Sequence, residues 1–380
     1  VGSGALTVWG AILVAGIFEF CGAFFAGGHV TDTVRKGMLD LSMIDRDQLI
    51  YGMLASLAAA GTLLVGATWF GLPVSTTHSI VGAIVGFGAV AIGPDAVKWG
   101  KIMQIVLSWL TSPLLSGVIA FFIFQFTRFK VLDKPDPITQ IRKLGPIFFF
   151  FVFFIIGLVT LFKGLKPLKL DLNLGEALIG SIVLGFIGTG LGIFLIRRVN
   201  LGPEDPKNRF SRVERIFVVL QILTACAIAF AHGSNDVANS IGPLAAVAHA
   251  VQGMDLGSKA PVEPWMLAIG GVGIIVGLGT WGYRVMETVG KRITELTPSR
   301  GFAAQLSAAT TIVLASRMGI PISTTHTLVG AVLGVGLARG IGALDLRVVG
   351  KIIVSWVATL PIAAALSIFF YYFFRGLLIP

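Results

Sequence analysis

Apolar residues occur along this chain in long runs that are separated by short polar loops. A helix needs about 20 apolar residues to cross a hydrocarbon layer about 30 Å thick, because each residue adds about 1.5 Å. Runs of that length predict membrane-spanning helices over residues 5–28, 102–127, 175–196, 265–283 and 348–374, and a shorter Phe-rich helix over 146–162. This pattern is typical of an all-α polytopic membrane protein.

Three further apolar regions are too long for one crossing and carry polar residues near their middle. Residues 50–93 and 302–341 are each about twice the length of a crossing, which predicts two interrupted helical hairpins. Residues 216–250 contain the polar run from His232 to Asp236, and we predict one bent span there, with backbone carbonyls freed around Gly233. The total is then about 11 to 12 transmembrane segments.

Composition supports the membrane interpretation. The 380 residues are 55% hydrophobic and 13% charged, whereas soluble domains carry about 25% charged residues. This excludes a soluble enzyme, a nucleic-acid-binding domain and a secreted disulfide scaffold. Cys21 and Cys226 lie inside apolar runs, which favours small core residues over a disulfide framework.

The net charge of +10 lies mainly between the apolar runs, above all in residues 128–143 and 197–215. Two predicted crossings separate these basic loops, so both lie on one side of the membrane. The positive-inside rule makes that side cytoplasmic. We therefore expect a multi-pass protein of the plasma membrane, in contact with the lipid bilayer and without a nucleic-acid partner.

A duplication is the strongest feature of the sequence. Gly71–Gly88 (GLPVSTTHSIVGAIVGFG) aligns without a gap with Gly319–Gly336 (GIPISTTHTLVGAVLGVG), at an offset of 248. Residues 29–34 align with 284–289, and Ser108-Trp109 aligns with Ser355-Trp356. Because an odd number of crossings separates the copies, they form inverted-topology repeats, an architecture of many secondary transporters. The predicted units are 1–127, a linker region 128–215 with two helices, and 216–380.

The duplicated loops predict an anion site inside the membrane. Pro73 favours an extended residue before it, and Ser or Thr is a preferred N-cap for the next helix. A helix N-terminus offers unpaired N–H groups and a partial positive charge, and two opposed termini suit a tetrahedral oxyanion. The candidate residues are Ser75, Thr76, Thr77, Ser323, Thr324 and Thr325.

The loops allow two other interpretations. The hydroxyls could merely satisfy backbone groups freed where proline breaks a helix. Ser75 with His78 could be a nucleophile and its base, but the pair occurs twice and no acid orients the histidine. We therefore expect no enzymatic activity.

A second polar cluster lies within residues 230–240. Asp236, flanked by Asn235 and Asn239, offers hard oxygens, the ligands that a small alkali cation needs. A carboxylate inside an apolar span is expensive and is functional by default, although polar residues can also hold helices together. Glu19 and Gln305 are further isolated polar residues that either add to a site or form hydrogen bonds between helices.

At these residues the sequence resembles the inorganic phosphate transporter (PiT) family. GSNDVANSIGPLAA at 233–246 matches the family signature, and IFEFCGA, VTDTVRKG at 30–37 and both P-[VI]-S-T-T-H loops resemble family motifs. The resemblance implies a sodium/phosphate symporter with no cofactor apart from sodium as the coupling ion. It implies phosphate binding by the Ser-Thr-Thr loops and Asn235, and sodium binding by Ser234, Asp236 and Asn239. Glu19, Gln305 and His232 would form an additional site nearby.

The sequence departs from the family pattern at the start of the chain. The first-half copy of the signature is absent, and VGSGALT resembles the segment directly after that signature in family members. We therefore expect a broken helix, with the partner of Asp236 and Asn239, upstream of Val1. A proton-coupled carrier, a sulfate carrier and a homodimeric assembly are left open by the sequence, whereas an anion channel is disfavoured by the charge-poor, glycine-packed hairpins.

Overall fold

The computed structural model describes residues 1–28, 37–163, 172–199, 209–254, 262–318 and 320–378. The described parts form α-helices joined by short turns of 3₁₀ and π type. The helices are α1 (Val8–Ala26), α2 (Arg46–Trp69), α3 (Thr76–Phe87), α4 (Trp99–Thr127), α5 (Pro137–Lys163), α6 (Leu174–Arg198), α7 (Arg209–Val251), α8 (Pro264–Glu287), α9 (Pro298–Arg317), α10 (Thr324–Ala338) and α11 (Leu346–Leu378). Residues 30–36 of the motif at 30–37, the aligned residues 29–34 and residues 200–208 of the basic loop 197–215 lie outside the described residues.

The helix pattern confirms a polytopic all-helical protein. Among the described residues, eight helices are long and apolar enough to cross a membrane: α1, α2, α4, α5, α6, α7, α8 and α11. The two predicted hairpins are present as α2–α3 and α9–α10, each consisting of a longer helix, a turn and a shorter apolar helix.

Helix α5 begins nine residues before the predicted start at 146, at Pro137. Hydropathy detects the apolar part of a helix, and the polar residues that precede it are helical too. Proline is suited to the first turn, where its missing N–H is not needed.

The predicted interruption of residues 216–250 is wrong, because α7 is one uninterrupted helix of 43 residues. The carbonyls around Gly233 are therefore not freed by a break. Gly233 serves close packing instead: a Cβ there would lie 2.1 Å from the carbonyl oxygen of Glu19 on α1. The side chains of Asn235, Asp236 and Asn239 bond to the two hairpins, so they do not compete with the helical backbone of α7, while Ser234 bonds to the Ala231 carbonyl of that helix.

The two halves of the chain are interleaved. Helix α3 of the first half packs on α11 of the second, and α10 of the second half packs on α4 of the first. Glycines permit both approaches: a Cβ at Gly82 would lie 2.8 Å from the Leu360 carbonyl oxygen, and one at Gly330 would lie 2.3 Å from that of Pro113. Each hairpin is thus supported by the last helix of the other half.

Aromatic rings fix the helices that flank the site. Phe148 of α5, Phe217 of α7 and Phe302 of α9 pack together, with ring centroids 5.3 to 6.2 Å apart. Such contacts add to the stabilisation from buried apolar area. They hold the N-terminal part of α7 against α5 and against the start of α9, the first helix of the second hairpin.

Candidate functional site

Each hairpin loop ends in an N-capped helix, as predicted. The backbone of Ser75 is extended, and its Oγ accepts the backbone N–H of His78 at 3.2 Å. Ser323 does the same for His326 at 3.1 Å. Both serines are buried. The first turns of α3 and α10 therefore begin inside the protein, where the N–H groups of a first turn have no acceptor within their own helix.

The two helix N-termini meet each other. The Thr77 hydroxyl donates to the carbonyl of Ile322 at 3.1 Å, and the Thr325 hydroxyl donates to the carbonyl of Val74 at 3.4 Å. These contacts are equivalent under the offset of 248 between the copies. Such reciprocity is what a two-fold relation between two similar units produces.

Asp236 joins the two hairpins. Its carboxylate accepts the Thr76 hydroxyl at 2.7 Å and the Thr324 hydroxyl at 3.1 Å, and these two residues occupy matching positions in the duplication. The Asn235 amide donates to the same carboxylate at 3.0 Å. Charge-assisted bonds of this kind are stronger than neutral ones, so the carboxylate holds both hairpin tips against α7.

Asn239 extends this network by one helical turn. Its amide nitrogen donates to the hydroxyls of Thr76 at 3.1 Å and Thr77 at 3.3 Å. Its side-chain oxygen is buried and has no hydrogen-bond partner among the described residues. Pro243, four residues later in α7, cannot donate to the Asn239 backbone carbonyl. Asn239 thus offers two oxygens that can bind a cation.

A second acid lies beside this network. His232 is 3.3 Å from the Glu19 carboxylate through Nδ1 and 3.3 Å from that of Asp236 through Nε2. Gln305, on α9, accepts the hydroxyl of Thr224 on α7 at 2.9 Å. A cavity of about 350 Å³ is lined by Glu19, His232, Gln305, Thr324 and Thr325, among others.

The sequence-predicted residues therefore divide into two groups. Those brought into one hydrogen-bonded network are Thr76, Thr77, Thr324, Thr325, Asn235, Asp236 and Asn239, with His232 and Glu19 at its edge. The other predicted residues bond elsewhere: Ser75 and Ser323 cap their own helices, Gln305 accepts from Thr224, and Ser234 donates to the Ala231 carbonyl of its own helix at 2.8 Å. Which of these residues bind phosphate and which bind sodium stays a prediction.

The histidines of the two loops form no nucleophile–base pair in the described contacts. The Ser75 hydroxyl accepts the backbone N–H of His78 and not a bond from its ring. The centroid of the His78 ring lies 3.7 Å from that of Trp109 and 4.3 Å from that of His326. The His326 ring stacks on Trp356 at 3.5 Å. Trp109 and Trp356 occupy matching positions in the duplication, and this was the one signal in the sequence that could have pointed to them.

Comparisons with known proteins agree with this architecture. A protein of Pyrococcus abyssi is 50% identical, over 97% of this chain and 89% of its own length. One of Haemophilus influenzae is 47% identical, over 99% of this chain and 90% of its own length. Both carry the name phosphate permease as a provisional assignment.

A solved structure described as the sodium-dependent phosphate transporter has the same fold. It matches with a TM-score of 0.90 and 40% identity, over 100% of this chain and 92% of that one. Residues 1–367 match the phosphate transporter family. The interrupted hairpins, the duplicated loops and these matches together establish that the chain belongs to the phosphate transporter family.

Proposed function

We propose that this protein imports inorganic phosphate across the plasma membrane by symport with sodium ions. The observation that carries the proposal is the convergence of Thr76 and Thr324, one from each hairpin tip, on the carboxylate of Asp236. Membership of the phosphate transporter family and likeness to a sodium-dependent phosphate transporter support the choice of substrate and coupling ion.

Phosphate would bind between the two hairpin tips. Because a helix points its first-turn N–H groups out of its N-terminus, those of α3 and α10 would face this region, and their partial positive charges favour an anion without a cationic side chain. The threonine hydroxyls and the Asn235 amide, which now donate to Asp236 and to the Ile322 carbonyl, would supply further donors to a tetrahedral ligand. Thr76 and Thr324 would turn their hydroxyls from Asp236 to the phosphate.

Sodium would bind at Asp236 and Asn239. A carboxylate, a free amide oxygen and a carbonyl without a helical donor are hard ligands for an alkali cation. A cation there would release the threonine hydroxyls from the carboxylate. It would also screen the repulsion between Asp236 and an incoming anion, so sodium would bind before phosphate or together with it.

The membrane potential gives an independent reason for a coupling ion. Importing a divalent anion against 100 mV, inside negative, costs about 4.6 kcal/mol, because each charge costs about 2.3 kcal/mol. Two accompanying monovalent cations cancel that cost, and their own gradient drives accumulation. Alternating access would then follow from relative movement of the two hairpins, each together with the helix of the other half on which it packs.

Uptake of radiolabelled phosphate into proteoliposomes tests the proposal. The full-length protein is assayed with and without an inward sodium gradient, at fixed pH, and with excess sulfate as competitor. We expect sodium to stimulate uptake and sulfate to leave it unchanged. Uptake that ignores sodium but follows a proton gradient would refute sodium coupling, and equal transport of sulfate would refute phosphate selectivity.

A further inference from the structure

Each hairpin loop is bonded to a tryptophan of the other half of the chain. The indole N–H of Trp356, on α11, donates to the carbonyl of Pro73 at 3.0 Å. The indole N–H of Trp109, on α4, donates to the carbonyl of Pro321 at 3.4 Å. Pro73 and Pro321 each lie two residues before the serine that caps the hairpin helix.

Imidazole rings fix the orientation of both indoles. His78 lies against Trp109 and His326 stacks on Trp356, while the two imidazoles are in edge contact with each other. The Nδ1 atom of His78 lies 3.5 Å from the Trp356 carbonyl, and that of His326 lies 3.5 Å from the Trp109 carbonyl. A tryptophan at either position is therefore held on its face, at its backbone and at its indole nitrogen.

Proline explains one of these backbone contacts. Pro113 lies inside α4, four residues after Trp109, so the Trp109 carbonyl lacks its helical donor. His326 faces that carbonyl in place of the missing N–H. The contact ties the first turn of α10 to α4 at its internal proline, and α4 belongs to the other half.

We propose that Trp109 and Trp356 are crossed positioning residues: each holds the phosphate-binding tip of the hairpin that belongs to the other half. This inference rests on the proposed function of those tips. The bonded carbonyl is separated from the N-cap by one residue, so its position sets the direction in which the first helical N–H groups point. Loss of the indole donor frees that tip while the ring stack remains.

Conservative substitutions isolate the indole donor. Trp356→Phe and Trp109→Phe keep an aromatic ring on the histidine but remove the N–H. We expect the KM for phosphate to rise by about two- to tenfold with little change in maximal rate, since a single hydrogen bond has about that effect. The effect should be larger for Trp356→Phe, because its bond is shorter.

Trp99→Phe is the matched control. Its indole N–H also donates to a proline carbonyl, that of Pro94 at 2.9 Å, but in a loop away from the hairpin tips. We expect the KM for phosphate to stay unchanged in this variant. An equal rise in the KM for phosphate in all three variants would overturn the proposal. It would mean that loss of any bond from an indole to a proline carbonyl has the same effect.

The crossed pattern is tested by double substitutions. In double variants, the effect of Trp356→Phe on the KM for phosphate should not add to that of Ser75→Ala, but it should add to that of Ser323→Ala. Trp109→Phe should show the opposite pattern. Coupling of each tryptophan to the serine of its own half, or equal coupling to both, would overturn the crossed assignment. The two tryptophans are independent arms, so failure of one variant to fold leaves the other as a test.

Hydrogen exchange separates failure of this inference from failure of the proposed function. Trp356→Phe should speed amide exchange around residues 74–79 and leave residues 322–327 unchanged, whether or not the tips bind phosphate. If the unsubstituted protein takes up no phosphate in proteoliposomes, the proposed function fails, whatever the exchange result. If exchange at the two tips rises equally, the positioning role fails.

Discussion

Gly233 lies directly against the backbone of Glu19, where a Cβ atom would come within 2.1 Å of the carbonyl oxygen. Gly22 makes the matching approach from α1, since a Cβ there would lie 2.0 Å from the Phe230 carbonyl oxygen. Helices α1 and α7 therefore cross in backbone contact. This crossing places the Glu19 carboxylate beside His232, one residue before Gly233.

We predict that Gly233→Ala impairs both stability and transport. The methyl group has to push the two backbones apart, and overpacking typically costs about 1–3 kcal/mol. Thermal unfolding in detergent measures the loss. The control is Gly277→Ala on α8, where a Cβ meets nothing within 4 Å and alanine should be neutral or slightly stabilising. Equal unfolding temperatures for the two variants would contradict the close approach.

Asp236→Asn should abolish sodium stimulation of uptake. The amide keeps much of the shape of the carboxylate but has no charge for a cation, and it cannot accept from both threonines on two equal oxygens. Sodium-dependent and sodium-independent uptake are compared in proteoliposomes. Asp345→Asn is a matched control, because Asp345 caps α11 through the N–H groups of Arg347 and Val348. Normal sodium stimulation in Asp236→Asn would remove Asp236 from the sodium site.

Asn239→Ala should raise the sodium concentration needed for half-maximal uptake. The substitution removes a buried oxygen that has no partner among the described residues, together with two donor contacts to threonines. If this ligand contributes about 1.4 kcal/mol to sodium binding, its loss should raise the sodium concentration needed for half-maximal uptake about tenfold.

The neighbouring Ser240→Ala provides the control for Asn239→Ala. The Ser240 hydroxyl donates within its own helix to Val237 at 3.2 Å, so its loss should leave the sodium requirement unchanged. A sodium requirement that is the same in both variants would argue against Asn239 as a ligand.

Glu214→Ala should destabilise the second hairpin. The Glu214 carboxylate accepts both the backbone N–H and the hydroxyl of Ser299 at 2.7 Å, and thus caps α9 from α7. Partly exposed charge-assisted bonds of this kind contribute about 1–2 kcal/mol. The unfolding midpoint of the purified protein should fall. Glu263→Ala is the comparison, because Glu263 is at the N-cap of α8 without a side-chain cap hydrogen bond.

The interleaving of the halves changes how the duplication is understood. The sequence repeats are continuous stretches of chain, but each hairpin is supported by the last helix of the opposite stretch. The same exchange appears in the contacts of Trp109 with Pro321 and of Trp356 with Pro73. A mutation in one repeat can therefore act on the hairpin of the other.

Local signals in the sequence predicted the hairpins well. Proline followed by Ser-Thr-Thr specifies an extended turn and an N-cap, and both depend on neighbouring residues alone. The polar run in α7 misled the prediction because Gly, Ser, Asn and Asp are weak helix formers. Contacts with α1 and both hairpin tips outweigh that local preference, and no local pattern contains them.

The sequence by itself determined that this is a helical membrane protein with two duplicated, N-capped hairpins, because apolar run length and capping chemistry are local properties of the chain. Only the tertiary structure decided which groups meet: Thr76 and Thr324 on one carboxylate, and each tryptophan on the opposite loop. Those contacts depend on how helices far apart in sequence pack against one another. Glycine contacts and the rigid shapes of the helices set that packing, and neither can be deduced from the order of residues along one segment.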